Sequence, residues 1–216
     1  MSRNQRAGLR EAIIKTSLAI GSELSEEGLT MRGIASRLGV SATALYQHFE
    51  SKAAILREIR IYGSLQFQRE VIDTAKGLPD PAERLHAMAD NYVMFARTHP
   101  WLYSVMFENE QIDYSTMGSD ELSQFLRPLT EVRAWLREGL EKKTLREGMD
   151  PDMTSIRMWA ALHGVSSMLN SGRIDENHPA FPVPDQISFL KGFTASVIRT
   201  ITGAKKPEET GAESAD

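Results

Sequence analysis

The 216-residue chain is 41% hydrophobic and 25% charged, ordinary globular proportions that allow one large domain, or a small domain joined to a larger one, with a sizeable core. It contains no cysteine, which excludes disulfides and thiolate metal sites and suits a reducing cytoplasm, and no apolar run approaches the roughly 20 residues that span a bilayer. Residues 1–60 hold nine of the 25 basic and six of the 29 acidic side chains, so a head of charge +3 precedes a body of −7, and any nucleic-acid contact belongs to the head.

The opening MSRNQRAGLREA lacks the apolar stretch of a secretory signal. Leu9, Ile13, Ile20 and Leu24 then recur at helical period, and Gly28 closes that segment. Two short helical patterns follow around a Leu-Gly-Val break. A longer helix starts at Ser51 and runs towards AKGLPDP, where Gly77, Pro79 and Pro81 punctuate the chain. Leu85, Met88, Tyr92 and Phe95 keep step in a helix over 81–98, and Pro100 opens a short apolar one, HPWLYSVMF. The stretch 108–118 reads as a loop. Leu122, Phe125, Leu129, Val132, Leu136 and Leu140 trace a long helix that Pro128 should kink or divide. Asp150-Pro151 is a cap and first-turn proline for MTSIRMWAALHGVSSMLN, SGRIDENHPAFPVP is a loop, and Ile187, Leu190, Phe193, Val197 and Ile201 mark a last helix. The class is all-α, divided into a head over 1–50, a helical body over 51–202 and a polar, disordered tail over 203–216.

The two short helices carry the chemistry. Thr30 is a suitable N-cap for Met31–Leu38, which places Met31, Ile34, Ala35 and Leu38 on one face. Gly39 can take positive φ and stop that helix, Val40 plugs the corner, and Ser41 caps a second helix with Leu45 and Phe49 inward. Ala35 is small where a crossing helix must come close. These are the requirements of a helix-turn-helix. With Leu45 and Phe49 inward, Thr43, Ala44, Tyr46 and Gln47 point outward, and the polar ones can meet phosphate oxygens or base edges in a major groove. Arg32 can reach a guanine or a phosphate, and the helix starts at Thr30 and Ser41 offer backbone N–H groups to phosphates. Lys52, Arg3 and Arg6 add positive charge. The same spacing also suits a helical hairpin buried in an ordinary bundle, with Tyr46 and His48 inside.

LTMRGIASRLGVSATALYQHFESKAAIL, with its Leu-Gly-Val turn, its Leu-Tyr-x-His-Phe run and the Ser-Lys that opens the next helix, resembles the DNA-binding segment of the TetR family of one-component bacterial repressors. The resemblance covers roughly residues 7–60. It implies backbone contacts to DNA from the positions of Thr43, Tyr46, His48 and Lys52, and variable base contacts from those of Arg32, Ala42 and Ala44. Ala42 and Ala44 have no hydrogen-bonding side chain, so only apolar contact to a thymine methyl is open to them. That leaves Arg32, Thr43 and Gln47 as the candidates for base reading.

WAALHGV, with Trp159, His163 and Gly164, is similar to the Trp-His-Gly type of C-terminal domain in some TetR relatives, as is HPWLYSVMF. The body is rich in methionine and aromatics. Tyr92, Phe95, Trp101, Tyr103, Met106, Phe107, Trp159 and His163 are candidates for a ligand pocket, though a plain core is the commoner explanation of such a stripe. His163 is either a satisfied core histidine or a polar anchor. Ile156, Trp159, Ala160, Val165 and Leu169 on one late helix, with Ile187, Leu190, Val197 and Ile201 on the other, serve either the core or a four-helix homodimer interface.

Catalytic motifs are missing: Glu108, Glu110, Asp113 and His99 lie near one another in sequence, but no histidine pair has ligand spacing and there is no phosphate loop or nucleophile elbow. The expected protein is a cytoplasmic, non-enzymatic DNA-binding regulator without cofactor or metal. It acts as a homodimer on an inverted-repeat operator in double-stranded DNA and is released by a small apolar effector. A helical small-molecule sensor or carrier whose head docks a protein, and a minor enzyme built around His163, are the competing readings.

Overall fold

The computed structural model describes residues 3–108, 117–180 and 182–202, with the side chains from residue 8 onward. Its helices are α1 (Arg3–Gly28), α2 (Met31–Leu38), α3 (Ala42–Tyr46), α4 (Lys52–Phe67), α5 (Pro81–Thr98), α6 (Pro100–Phe107), α7 (Ser119–Glu141), α8 (Pro151–Asn170) and α9 (Gln186–Thr202). Among the described residues there is no strand, only an isolated bridge between Asp175 and Pro182, and no helix long and apolar enough to cross a membrane. The expected tail at 203–216 and most of the loop at 108–118 lie outside the described residues.

Side-chain caps set the starts of α2, α3, α4, α5 and α8. Ser51 Oγ accepts from Ala54 N–H at 3.2 Å, and Asp80 Oδ1 from Ala82 N–H at 3.1 Å ahead of the first-turn Pro81. Asp150 Oδ1 accepts from both Asp152 and Met153 N–H, at 2.8 and 3.2 Å. Each cap satisfies N–H groups that have no partner inside the helix and is worth about 1 kcal/mol.

α5 is the axis of the body, packed against α7, α8 and α9. Leu85, Met88, Ala89, Tyr92, Val93, Phe95 and Ala96 are all buried, an arc wide enough to meet three neighbours. Tyr103, Leu136 and Leu162 are almost fully enclosed around it, each such burial contributing about 1.5–3 kcal/mol. α4 touches α1 on one side and α6 and α7 on the other, so it joins head to body.

Three local departures from the periodic reading stand out. Ser25 takes φ 60°, so the regular turn of α1 breaks there and Leu24, beside the break, stands exposed instead of completing the inner stripe. The helix from Ser51 does not stay α-helical to its end: residues Gln68–Asp73 form a π-helical segment directly after α4. α7 runs undivided through Pro128, with Val132, Trp135 and Leu136 of the following turns buried in the core.

Candidate nucleic-acid interface and effector cavity

In the head, Thr30 Oγ1 accepts from Gly33 N–H at 3.0 Å, and α2 buries Ile34 and Ala35. Gly39 sits at φ 66°. Its N–H donates to the Ser36 carbonyl at 3.2 Å and that of Val40 to Ala35 at 3.0 Å, the paired bonds of a left-handed helix stop. Ser41 Oγ then accepts from Ala44 N–H at 3.1 Å to start α3. α3 is only five residues long. Leu45 is buried in it, whereas Gln47, His48 and Phe49 follow in a turn whose N–H groups return to Thr43 and Leu45. Phe49 still reaches the core, and the Arg10 guanidinium lies 4.7 Å from its ring centre while also pairing with Glu58.

On the outer side, Thr30, Arg32, Ser41, Ala42, Thr43, Tyr46 and Gln47 are exposed, while Ala44, His48 and Lys52 are half-buried. Tyr46 is 53% exposed, so it is not the interior residue of a buried hairpin. The cations differ sharply in availability. Arg10 pairs with Glu58, Lys15 with Glu11 and Arg37 with Glu23 through two bonds of 2.7 and 2.8 Å. Lys52 Nζ donates to the Glu26 carbonyl at 2.6 Å, tying the start of α4 to the end of α1. Among the described residues Arg32 has no such partner. The Ser41 and Thr30 hydroxyls, and the N–H groups they cap, are already bonded to each other.

The body holds a half-open cavity of about 480 Å³. Ser64 and Phe67 of α4, Ile72 of the π-helical segment, Met88 and Tyr92 of α5, and Met106 and Phe107 of α6 form one side. Phe125, Leu126, Pro128, Leu129, Val132 and Arg133 of α7 face Ser155, Ile156, Met158, Trp159 and Leu162 of α8 across the other. Of the sequence candidates Tyr92, Met106, Phe107 and Trp159 line the cavity, Phe95, Tyr103 and His163 pack against lining residues, and Trp101 does not line it. Phe95 packs edge-on against Phe67 with ring centres 5.2 Å apart, and Trp101 lies against Gly21 of α1.

Tyr103, buried, and His163, half-buried, form a hydrogen-bonded relay behind Tyr92. The Tyr103 hydroxyl is 3.1 Å from that of Tyr92 and 2.6 Å from His163 Nδ1, and the imidazole stacks on Trp159 at 5.4 Å. Burial pushes both tyrosine hydroxyls above the usual phenol range, so each stays protonated and available as a donor. His99 lies apart, 3.2 Å from Glu70, and of the acidic group near it only Glu108 is described, exposed to solvent.

Sequence reasoning missed the α7 wall, Ser64, Ser155 and Arg133. The α7 stripe was legible as apolar, but periodicity does not tell core from cavity lining. The extra turn offset of the π-helical segment, which places Ile72 at the cavity, has no periodic signature either.

The family described as "Bacterial regulatory proteins, tetR family" matches residues 22–59, and "Tetracyclin repressor-like, C-terminal domain" matches residues 85–186. The head is 51% identical over 47 residues to the tetracycline repressor protein class C of Escherichia coli, 22% of each chain. Over 165 residues the chain is 27% identical to the nucleoid occlusion factor SlmA of Marinobacter nauticus, covering 71% of this chain and 77% of that protein. The fold matches that of the TetR family transcriptional regulator PfmR from Thermus thermophilus with a TM-score of 0.63 at 19% identity, over 87% of this chain and 97% of the other. A helix-turn-helix head matching one half of the family's architecture, joined to an all-helical body matching the other, settles the assignment: the chain belongs to the TetR family of DNA-binding transcriptional regulators.

Proposed function

We propose that the protein is a ligand-responsive repressor that binds an inverted-repeat operator as a homodimer. The observation that carries this reading is the outer face of the helix-turn-helix. There Thr43 and Tyr46 are exposed beside Arg32, an arginine without a carboxylate partner among the described residues. Arg32, Thr43 and Gln47 read bases; Tyr46, His48 and the ammonium of Lys52 hold the backbone, with Lys52 exchanging part of its bond to Glu26 for a phosphate. Ala42 and Ala44 allow close approach and contact a thymine methyl.

One short recognition helix buries too little surface for specific binding, so two heads act together on half-sites about one helical turn apart. The dimer forms through α8 and α9. Ile156, Trp159, Ala160 and Ile187 are exposed on these helices in the single protomer, whereas Val165, Leu169, Leu190 and Ile201 are spent on its own core. The head over 1–50 and the body over 51–202 are coupled through α4 and through the packing of α1 on α6. A ligand in the cavity releases DNA by binding more tightly to a state in which the heads are wrongly spaced, and only its difference in affinity between the two states drives the change.

The test uses an operator selected from random inverted repeats. Thr43→Ala and Tyr46→Ala each weaken operator binding on the order of 10-fold while leaving the melting temperature in place, because both side chains are solvent-facing. Wild-type affinity also falls steeply with salt. Unchanged affinity in both variants, or binding indifferent to salt, rejects this docking.

A further inference from the structure

We infer that the cavity takes an amphipathic anion, with an apolar body among the side chains of α5 to α8 and a carboxylate on the Arg133 guanidinium. This rests on the reading of the cavity as the effector site and names the ligand class for it.

Among the described residues that line the cavity, Arg133 carries the sole formal charge, and no carboxylate lines it. Its neighbours compensate that charge only in part. Asp152 Oδ1 lies 3.1 Å from Arg133 Nε and equally 3.1 Å from Arg137 Nη2, so two guanidiniums share one carboxylate oxygen. Arg133 Nε also points to Ser155 Oγ at 3.4 Å, and that hydroxyl is fixed in turn by its own bond to the Asp152 carbonyl at 2.7 Å. The side of the fork bearing Nε is therefore held in place. The two Nη groups carry no hydrogen bond among the described residues.

A half-buried arginine held by one edge and open at the other is preorganised for a carboxylate, which accepts two parallel bonds from the fork. The remaining wall is apolar, apart from Ser64, Tyr92 and Ser155, and the volume falls within the roughly 300–1,000 Å³ of small-molecule sites. A ligand with no acceptor there strips water from the Nη groups and gives nothing back, a neutral hydroxyl returns one weaker bond, and a carboxylate returns two charge-assisted ones. A cationic ligand meets repulsion as well.

Dodecanoate and dodecan-1-ol share an apolar chain and differ in the head group, so the pair isolates the contribution of Arg133. Binding is followed by calorimetry or by quenching of tryptophan emission in the intact protein, below the concentration at which the acid forms micelles. Wild type is expected to prefer dodecanoate at least 10-fold. Arg133→Gln loses about that factor for dodecanoate and keeps its affinity for the alcohol. Arg133→Lys, which keeps the charge without the fork, falls between the two and serves as the second variant should Arg133→Gln fail to fold. A merely structural tie between α7 and α8 instead lowers the melting temperature and weakens both probes alike. No preference in wild type, a preference that survives in Arg133→Gln, or no binding of either probe overturns the inference. Operator affinity measured in the same preparations separates the two readings: if dodecanoate binds through Arg133 yet leaves operator affinity unchanged, the effector role fails and the anion site stands.

Discussion

Arg84 and Glu138 show how much one side-chain pair can carry. The Arg84 side chain is only 11% exposed, and it donates to both Glu138 oxygens at 2.7 Å each, joining α5 to α7. Lys142 adds a third bond at 2.7 Å. Arg84 and then Lys142 hold the Glu138 carboxyl at about 2, against an ordinary value of 4.5. Because the folded value lies below the unfolded one, the pair stabilises the fold above pH 4.5, and that stabilisation is lost as pH falls towards 2. Glu138→Gln should therefore melt below wild type at pH 7, with the two melting curves converging across that acid window; a gap that stays constant with pH contradicts the assignment. None of this is written in the local sequence, since the partners are 54 residues apart. The outer residues of the head are a contrast. Thr43 and Tyr46 could be placed outward from the inward pair Leu45 and Phe49, and both are exposed. What the sequence withheld was the pairing that leaves Arg32 unengaged while Arg37 is bound to Glu23.

At the scale of the element, the turn between α2 and α3 sets the angle at which the recognition surface is presented. Gly39 is held at φ 66° with open space around the position of an added Cβ, so Gly39→Ala meets no clash and costs the left-handed conformation alone, about 1–2 kcal/mol. The expected result is a lower melting temperature with a similar α-helical signal; an unchanged melting temperature rules out this account of the turn. Five helix starts carry a capping side chain that makes its bond, at Thr30, Ser41, Ser51, Asp80 and Asp150, whereas α6 and α7 start without one. The failures came where packing overrides local preference. Pro128 looked like a divider, yet α7 persists through it, and the π-helical segment at Gln68–Asp73 left no trace in the apolar period.

For the whole molecule, the unburied apolar faces of α8 and α9 bear on assembly. Ala160→Glu combined with Ile187→Glu places charge on residues exposed in a single protomer, so the fold should survive while light scattering reports a monomer and operator affinity drops. A dimer of undiminished mass places the interface elsewhere. The division into head and body was readable from charge and from the motif, and the packing of α1 on α6 that helps join them has one feature of particular consequence. A Cβ on Gly21 of α1 would lie 2.2 to 2.4 Å from three indole atoms of Trp101 in α6. The helices engage there like a tooth in a slot with no play, and the same short α6 turns Met106 and Phe107 towards the cavity. In the proposed mechanism, a guest that shoulders those two side chains aside has no slack to take up before the DNA-reading end is nudged. The gearing needs nothing larger than a hydrogen atom at residue 21.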